Sequence, residues 1–455
     1  MKFVQTLMAA SLAVAFAGVA QAAVSPEEAA KLGTTLTMIG AEKAGNADGS
    51  IPAFTGGQTE LPAGFKKGDS FRPNPFAADK TVLVIDQSNL QEHKDKLTAS
   101  TAELVSRFPG YKVNVYPTHR SVWLPQANLD NSKTNATVAK TTGGGVGIEG
   151  ALPGVPFPIP QTGHEAMWNH LLRYIGTTVT SKFDNWNVDS AGVPTLSTTG
   201  LGYVNAQVYE HMDKVMGPKD LFYRIKLYYT GPARRAGEAI LVQDAIDPAV
   251  QPRRAWQYLP GQRRVKLAPD LAYDTPNPGS AGASTYDDTF VFSGALDRFD
   301  WKLVGKKEMY VPYNAYEVGY VKDAKTLVTA NYIEPDLVRW EKHRVWVVEA
   351  TLKPGKRHIY HKRTFYLDED SWVALAADHY DARGDLYRGT FAFLAPSYDV
   401  GVPNATPHMV YDLVAGSYTI SGLVGPHGGV KYIDNLSPAK WTPESLAGAG
   451  IRLLL

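Results

Sequence analysis

The motifs in this chain that could support catalysis fail in their sequence context. Residues 145–150, Gly-Val-Gly-Ile-Glu-Gly, have the letters of a dinucleotide-binding loop. However, no buried strand precedes them, and Pro153 and Pro156 prevent the following helix that would hold a pyrophosphate. A nucleophile elbow around Ser280 is also missing, because position 278 is proline where the G-x-S-x-G pattern needs glycine. We therefore expect neither nucleotide binding nor motif-borne ester hydrolysis.

Histidine and carboxylate groupings give no stronger signal. The groupings are the pair His358 and His361, the pair His164 and His170, the pair Asp287-Asp288, and the run Asp368-Glu369-Asp370. Histidines three residues apart on a strand point to opposite faces, and histidines six apart on a helix lie about 240° apart around its axis. The acidic groups are typical of turns, and a glycosidase would need two carboxylates aimed at one cleft. We predict no metal site, no cofactor and no enzyme activity.

Three Arg-Arg pairs occur close together, Arg234-Arg235, Arg253-Arg254 and Arg263-Arg264. They have two interpretations. They could bind an anionic headgroup or an acidic partner surface. Alternatively, they form a solvated sheet edge that discourages strand-to-strand aggregation.

Aromatic residues at period-two spacing provide the candidate ligand site. The chain has 24 Tyr, 16 Phe and 9 Trp, and residues 221–229 alternate as a half-buried strand does. Trp256 and Tyr258 share one face of a second strand, and Phe290 and Phe292 share one face of a third. Trp301 lies in the apolar stretch that follows. If these faces are concave, the five aromatic residues line one cavity for an acyl-type chain; otherwise they are ordinary core.

The elements that must position these residues are mostly antiparallel strands. Short turns at 353–356, 368–370 and 381–385 divide residues 340–393 into four strands of a meander. Helices are expected mainly before residue 180, beginning near Pro26, Ser88 and Gly163. Residues 131–150 are polar and Gly-rich, residues 153–160 carry four prolines, and both segments are expected to be loops. The expected fold is α+β.

The N-terminus predicts export. Lys2, an apolar run over 7–20 and the Ala20-Gln21-Ala22 motif indicate a signal peptide of residues 1–22, with cleavage after Ala22 or Ala23. The chain contains no cysteine, and its net charge of +1 falls to about zero when Lys2 is removed. Nucleic-acid binding is therefore not expected, and no later run is long enough to span a bilayer. We expect a soluble bacterial periplasmic protein.

These residues also carry a resemblance to a known family. The segments concerned are 45–57 (GNADGSIPAFTGG), 254–265 (RAWQYLPGQRRV) with Asp287-Asp288, 296–303 (LDRFDWKL), 345–350 (VWVVEA), and Leu367-Asp368 with 381–384 (DARG). Over nearly the whole mature chain, this combination resembles the bacterial domain-of-unknown-function 1329 family, whose members are similar to outer-membrane lipoprotein-sorting proteins. The resemblance implies a Lol-carrier-like incomplete antiparallel β-barrel wrapped around helices. It further implies association with an outer-membrane protein and an RND-type exporter, and it defines no catalytic residue.

The leading hypothesis is a periplasmic binding or carrier protein for a lipid or other hydrophobic molecule, which works with envelope transport machinery. Its ligand site would comprise Trp256, Tyr258, Phe290, Phe292 and Trp301. One lipoprotein-sorting-like domain is expected over 23–455, rich in helices and loops to 180 and mainly antiparallel sheet from 181. The alternatives are a periplasmic hydrolase of hydrophobic esters and a scaffold of an outer-membrane complex. An apolar cavity of several hundred Å³ would favour the carrier, converging Ser, His and carboxylate groups the hydrolase, and a large exposed apolar patch the scaffold.

Overall fold

The structure, a computed structural model, describes residues 24–447. The predicted signal peptide and its cleavage site lie outside the described residues. The described α-helices are α1 Pro26–Ala29, α2 Leu90–His93, α3 Ala99–Arg107, α4 Gln126–Val138, α5 Gly163–Leu171, α6 Tyr316–Gly319 and α7 Ala324–Leu327. The described strands are β1 Leu83–Ile85, β2 Val113–Val115, β3 Lys140–Thr142, β4 Gly147–Glu149, β5 Thr178–Val188, β6 Pro194–Asn205, β7 Leu221–Gly231, β8 Ala239–Ala245, β9 Arg254–Leu259, β10 Arg264–Leu267, β11 Phe299–Pro312, β12 Trp340–Leu352, β13 Lys362–Asp368, β14 Ala374–Tyr380, β15 Leu386–Ala392, β16 His408–Asp412, β17 Ser417–Leu423 and β18 Lys431–Ile433.

One large curved sheet dominates the fold. Its main path runs β1-β2-β12-β13-β14-β15-β16-β17-β5-β6-β7-β8-β9-β10, while β11 pairs with β12 and β18 pairs with β5. Neighbouring strands are antiparallel, except at one parallel bridge between Val115 of β2 and Trp340 of β12. Because β1 and β10 lie at opposite ends of the path, the sheet curves without closing. The predicted α+β fold with an incomplete antiparallel barrel is confirmed.

The predicted meander over 340–393 is also confirmed, as β12 to β15. Its second strand begins at Lys362 rather than near His358. The imidazole of His358 instead contacts Asp287 at 2.9 Å, and the hydroxyl of Tyr360 donates to Asp288 at 2.9 Å. These contacts draw the chain away from the sheet before the strand starts.

The helices differ from the prediction in two places. The helix expected to begin near Ser88 is interrupted, since α2 ends at His93 and α3 begins at Ala99 behind its N-cap Thr98. The loop predicted over 131–150 is wrong for most of its length, because α4 extends to Val138 and the antiparallel strands β3 and β4 occupy 140–142 and 147–149. The buried face of α4 is largely polar, and the side chains of Ser132 and Asn135 bond to the backbone of 152–155. A helix that packs through amides and hydroxyls has no apolar stripe for sequence patterns to reveal.

The core lies where the sheet wraps around α5. Met167 and Trp168 of this helix are buried against the sheet. Gly163 brings the start of the helix so close to β11 that an added Cβ would lie 2.6 Å from the carbonyl carbon of Trp301. The end of α5 is thereby held over the strands that follow it in the chain. No helix among residues 24–447 combines the length and apolar character needed to cross a bilayer.

Candidate functional site

A cavity of about 190 Å³ lies between the sheet and the end of α5. One face of four adjacent strands forms most of its floor, and the residues of that face alternate along each strand; Phe222 of β7, where the register shifts, also contributes. The residues of that face are Val179, Ser181, Phe183 and Asn185 of β5, Gly202 and Val204 of β6, Tyr223, Ile225, Leu227 and Tyr229 of β7, and Ile240 and Val242 of β8. Since alternate residues of a strand point to the same side, β5 to β8 present a single mainly apolar surface.

Two irregular segments and the residues after α5 cover this floor. The covering segments are 286–293 and 402–408, and Leu171 to Ile175 contribute from the helix end. The strand predicted for Phe290 and Phe292 is wrong. Phe290 has a φ of 54° and Val291 a φ of 72°, so the chain turns there in the left-handed region and cannot continue as a strand. The turn still directs both phenylalanine rings into the cavity lining.

The five aromatic residues predicted to form the ligand site do not all lie together. Phe290 and Phe292 line the cavity. Trp301 is buried behind Phe292, with ring centroids 5.3 Å apart, and its indole N–H donates to the Leu296 carbonyl oxygen. Trp256 and Tyr258 do share one face of β9, but that face is opposite to the cavity.

The opposite face of β7 to β9 has its own cover. Trp441 and Leu446, from the C-terminal segment 436–446, pack there with Trp256 and Tyr258. The same segment also binds the buried ammonium group of Lys226. This group donates to the Lys440 carbonyl oxygen at 2.6 Å and to Ser445 Oγ at 2.6 Å. The strand predicted as half-buried is therefore covered on both faces.

Two arginines and a histidine are the ionisable groups of interest in the cavity lining. Arg253 forms two hydrogen bonds to Asp244, at 2.6 and 2.8 Å, and a third to Ser293 Oγ at 3.1 Å, which ties the cover to the sheet. Arg173 follows α5, and burial lowers its pKa to about 10. Burial also lowers the pKa of His408 to about 4, so its imidazole is neutral at physiological pH.

The Arg-Arg pairs divide between internal and solvent-facing roles. Arg235 is buried and pairs with Glu238 at 2.8 Å, while Arg253 pairs with Asp244. Arg263 and Arg264 are exposed at the hairpin between β9 and β10, which is the edge of the sheet. The solvated-edge interpretation therefore fits one pair of the three.

A buried ion-pair network attaches the covering segment 286–293 to the start of β13 and the residues just before it. Arg363 of β13 donates to Asp287 Oδ2 at 2.7 Å, and the Tyr360 hydroxyl donates to Asp288 Oδ2 at 2.9 Å. The Arg363 guanidinium and His358 hold the pKa of Asp287 well below its usual range, despite complete burial. Asp288 closes a capping box with Thr285. The turn interpretation of Asp287-Asp288 was right locally, but sequence could not show that a distant strand neutralises it.

The geometry gives a hydrolase little support. Within the described chain, the hydroxyl–imidazole hydrogen bond is between Thr390 Oγ1 and His379 Nε2 at 2.7 Å, and both residues are fully buried. The other ring nitrogen of His379 accepts from Arg363 Nε at 3.2 Å. An arginine cannot stabilise an imidazolium as the carboxylate of a catalytic triad does.

One group of side chains has metal-ligand spacing. Ligand atoms of His343, Asp368 and Asp370 lie within 4.8 Å of one another, and all three residues are buried. Arg120 donates to both oxygens of Asp370, at 2.7 and 2.9 Å, and His343 Nε2 lies 2.9 Å from Glu341. Asp370 and His343 thus belong to a second ion-pair network, whereas Asp368 has no cation within ion-pair distance among residues 24–447.

The residues on the cavity floor were not predicted as a site, although the sequence does show the alternation that brings them onto one face. The alternation in 221–229 predicted one face containing Tyr223, Ile225, Leu227 and Tyr229, and this face lines the cavity. The pattern does not show which segment of the chain packs against each face of this strand. Arg173 carries no motif, since its importance depends on where the end of α5 lies.

Comparison with known proteins places these features in a family. Residues 84–447 match the family model described as protein of unknown function (DUF1329). The chain is 42% identical to an uncharacterized protein of Pseudomonas aeruginosa over 95% of each chain. A crystal structure of a DUF1329 family protein from Desulfovibrio piger aligns with a TM-score of 0.40 and 16% identity, over 60% of this chain and 92% of that chain. A crystal structure of a putative outer membrane lipoprotein-sorting protein domain from Vibrio parahaemolyticus aligns with a TM-score of 0.41 and 14% identity, over 60% and 92% of the two chains. The chain belongs to the DUF1329 family of proteins of unknown function.

Proposed function

We propose that this protein is a periplasmic binding or carrier protein for a hydrophobic small molecule or lipid. The observation that carries the proposal is the cavity between β5–β8 and the irregular cover, because its walls are mainly aliphatic and aromatic. Ligand sites are characteristically concave and apolar, with a few placed polar groups. Here the polar groups include the ionisable side chains of Arg173, Arg253 and His408.

The cavity is smaller than the several hundred Å³ expected, but it has room for a ligand. A single water needs about 10–15 Å³ on the same measure, and an apolar cavity of about 150 Å³ in another protein binds benzene. Gly202 contributes to this space, since a Cβ there would lie 3.2 Å from Leu227 Cδ2. Each CH₂ group that a ligand buries would contribute about 0.8 kcal/mol.

The surface gives less support to a scaffold. The large apolar side chains that are exposed in residues 24–447 are mostly scattered single residues such as Leu61, Val193 and Val414. Scattered residues of this kind are normal on a soluble protein. Export by the signal peptide, and cooperation with an outer-membrane protein or an RND-type exporter, remain parts of the proposal that rest on sequence and resemblance.

Native mass spectrometry of protein purified from the periplasm tests the proposal. The full chain is expressed, the periplasmic fraction is isolated, and bound hydrophobic molecules are detected directly and by lipid extraction. A mature chain that begins at Ala23 or Val24 and carries a hydrophobic ligand supports both the location and the function. Recovery of the intact chain only in the cytoplasm would contradict the location.

Two substitutions then locate the ligand. Ile225→Trp places an indole on the cavity floor and is expected to weaken binding by about tenfold or more, which corresponds to about 1.4 kcal/mol. Trp256→Ala removes an indole from the opposite face of the same sheet and should leave the affinity unchanged. Circular dichroism and thermal melting verify that both variants are folded. If Trp256→Ala lost as much affinity as Ile225→Trp, or if no hydrophobic molecule bound the wild-type protein, the cavity assignment would be wrong.

A further inference from the structure

Arg173 is a charged side chain in the lining of a mainly apolar cavity. Its guanidinium lies over the ring of Phe290 at 5.6 Å, and its Nη1 donates to the His170 carbonyl oxygen at 2.8 Å. Among residues 24–447, no carboxylate lies within ion-pair distance of it, and this carbonyl is its one hydrogen-bond acceptor. The remaining guanidinium donors are therefore available to a ligand.

The ionisable neighbours of Arg173 do not compensate its charge. Tyr209 and Tyr223 are phenols whose pKa burial raises, so both are neutral at physiological pH. His408 is neutral for the opposite reason, since burial lowers its pKa to about 4. Arg253, the other cation in the lining, is neutralised by Asp244 at 2.6 Å.

Desolvation of an unpaired cation is unfavourable. In Arg173, desolvation lowers the pKa of the guanidinium to about 10. The guanidinium nevertheless stays protonated at neutral pH. A site that retains an uncompensated cation beside aliphatic and aromatic walls is complementary to a molecule with an anionic end and an apolar body. The planar guanidinium also matches the two oxygens of a carboxylate or phosphate.

We propose that the cavity binds single-chain amphiphiles with an anionic headgroup, and that Arg173 binds this headgroup while the chain lies on the floor formed by β5–β8. This inference rests on the proposed function and narrows its ligand class. Carboxylate and phosphate headgroups share the required chemistry, so the experiment compares them directly.

Isothermal titration calorimetry with ten-carbon probes tests the inference. Decanoate and decyl phosphate supply the two anionic headgroups, decanol is the neutral probe, and decyltrimethylammonium is the cationic one. We expect both anions to bind the wild-type protein more tightly than decanol does, and the cation to bind most weakly. The tighter of the two anions identifies the headgroup. Acetate and inorganic phosphate lack the chain and should not bind in the same concentration range.

Substitutions of Arg173 separate headgroup recognition from a structural role. Arg173→Gln should weaken binding of the anionic probes by about tenfold to a hundredfold, the range for charge-assisted hydrogen bonds, and leave the affinity for decanol unchanged. Arg173→Lys keeps the charge and should restore part of the preference. The matched control is Arg254→Gln, because this arginine stacks on Trp256 at 5.6 Å, away from the cavity.

The possible outcomes distinguish failure of this inference from failure of the proposed function on which it rests. If decanol binds but the anions bind no tighter, or if Arg173→Gln weakens decanol and decanoate equally, the headgroup role of Arg173 is overturned and the apolar cavity stands. If acetate binds as well as decanoate does, the chain has no role and the amphiphile assignment is overturned. If none of the probes binds, both proposals fail.

Discussion

Asp368 shows what burial does to a carboxyl group in this fold. Its Oδ2 accepts from the Ser371 hydroxyl at 2.6 Å and from the Tyr313 hydroxyl at 3.1 Å, while its Oδ1 has no partner among the described residues. Burial and the charge of Asp370 raise the pKa of Asp368 to about 7. Burial and the charge of Asp370 also raise the pKa of Glu369, although Glu369 accepts from Lys306, and Arg120 forms an ion pair with Asp370.

This arrangement predicts the sign of a pH effect on stability. An unfolded chain loses the Asp368 proton near pH 4, whereas the folded protein holds it until about pH 7. Between these values the folded state binds more protons, so the contribution of Asp368 to the free energy of unfolding falls as the pH rises. Asp368→Asn removes the titration and keeps an acceptor for Tyr313 and Ser371. Urea unfolding should therefore show a smaller loss of stability between pH 5 and pH 8 in this variant than in the wild type.

Asp385→Asn is the matched control, because Asp385 is exposed in the turn between β14 and β15. It should reproduce the wild-type slope over the same pH range. An Asp368→Asn profile parallel to that of the wild type would show that Asp368 is ionised throughout.

At the scale of the element, the position of α5 depends on one residue without a side chain. Gly163 begins the helix behind its N-cap Thr162, and an added Cβ would lie 2.6 and 2.7 Å from backbone atoms of Trp301 and Lys302. Backbone atoms of β11, which is paired along its length with β12, cannot move aside as the end of a flexible side chain can. Gly163→Ala should therefore cost about 1–3 kcal/mol of unfolding free energy, the usual range for overpacking.

Gly261 offers the comparison for this substitution. It lies in the hairpin between β9 and β10, and no heavy atom is within 4 Å of its added Cβ. Gly261→Ala should change stability by less than about 0.5 kcal/mol. Urea unfolding with m-values checks both variants, and equal stabilities of the two would show that α5 adjusts freely against β11.

Sequence patterns correctly predicted the elements whose hydrophobic periodicity can be read from their own residues. The meander β12–β15 and the alternating faces of β7 follow from local alternation and turn residues, and both are present. Helix α4 was missed because its buried side chains are Asn and Ser, which resemble a loop in composition. The strand expected at Phe290 and Phe292 has the alternation of a strand, but the adjoining Asp287 and Asp288 are held by Arg363 and Tyr360, more than 70 residues away.

The sequence predicts an aromatic-lined cavity, but it does not show which face of the strands lines that cavity. Period-two spacing correctly places Trp256 and Tyr258 on one face of a strand, yet it cannot tell the cavity face from the face covered by 436–446. That choice depends on which distant segment packs against each side. The role of Arg173 cannot be predicted from sequence for the same reason, since its lack of an ion-pair partner among residues 24–447 is a property of the assembled site.

At the scale of the whole molecule, the sheet joins segments that are distant in sequence. β2 near residue 115 meets β12 near residue 340, and β5 lies between β6 and β17. We propose on this basis that the mature chain forms one domain, because neither half could complete the sheet order alone. The floor of the cavity belongs to this continuous sheet, whereas its cover consists of irregular segments anchored by Arg253 and Arg363.

Hydrogen–deuterium exchange tests this division between floor and cover. Strand amides of β5–β8 are paired on both sides in the sheet and should exchange slowly with or without ligand. The covering segments 286–293 and 402–408 have few ladder hydrogen bonds, so ligand entry is expected to proceed through their local opening. Saturation with decanoate should slow exchange in these two segments and leave 436–446, on the opposite face, unchanged. Protection that appeared in 436–446 and not in the cover would place the ligand on the face of Trp256 and Tyr258.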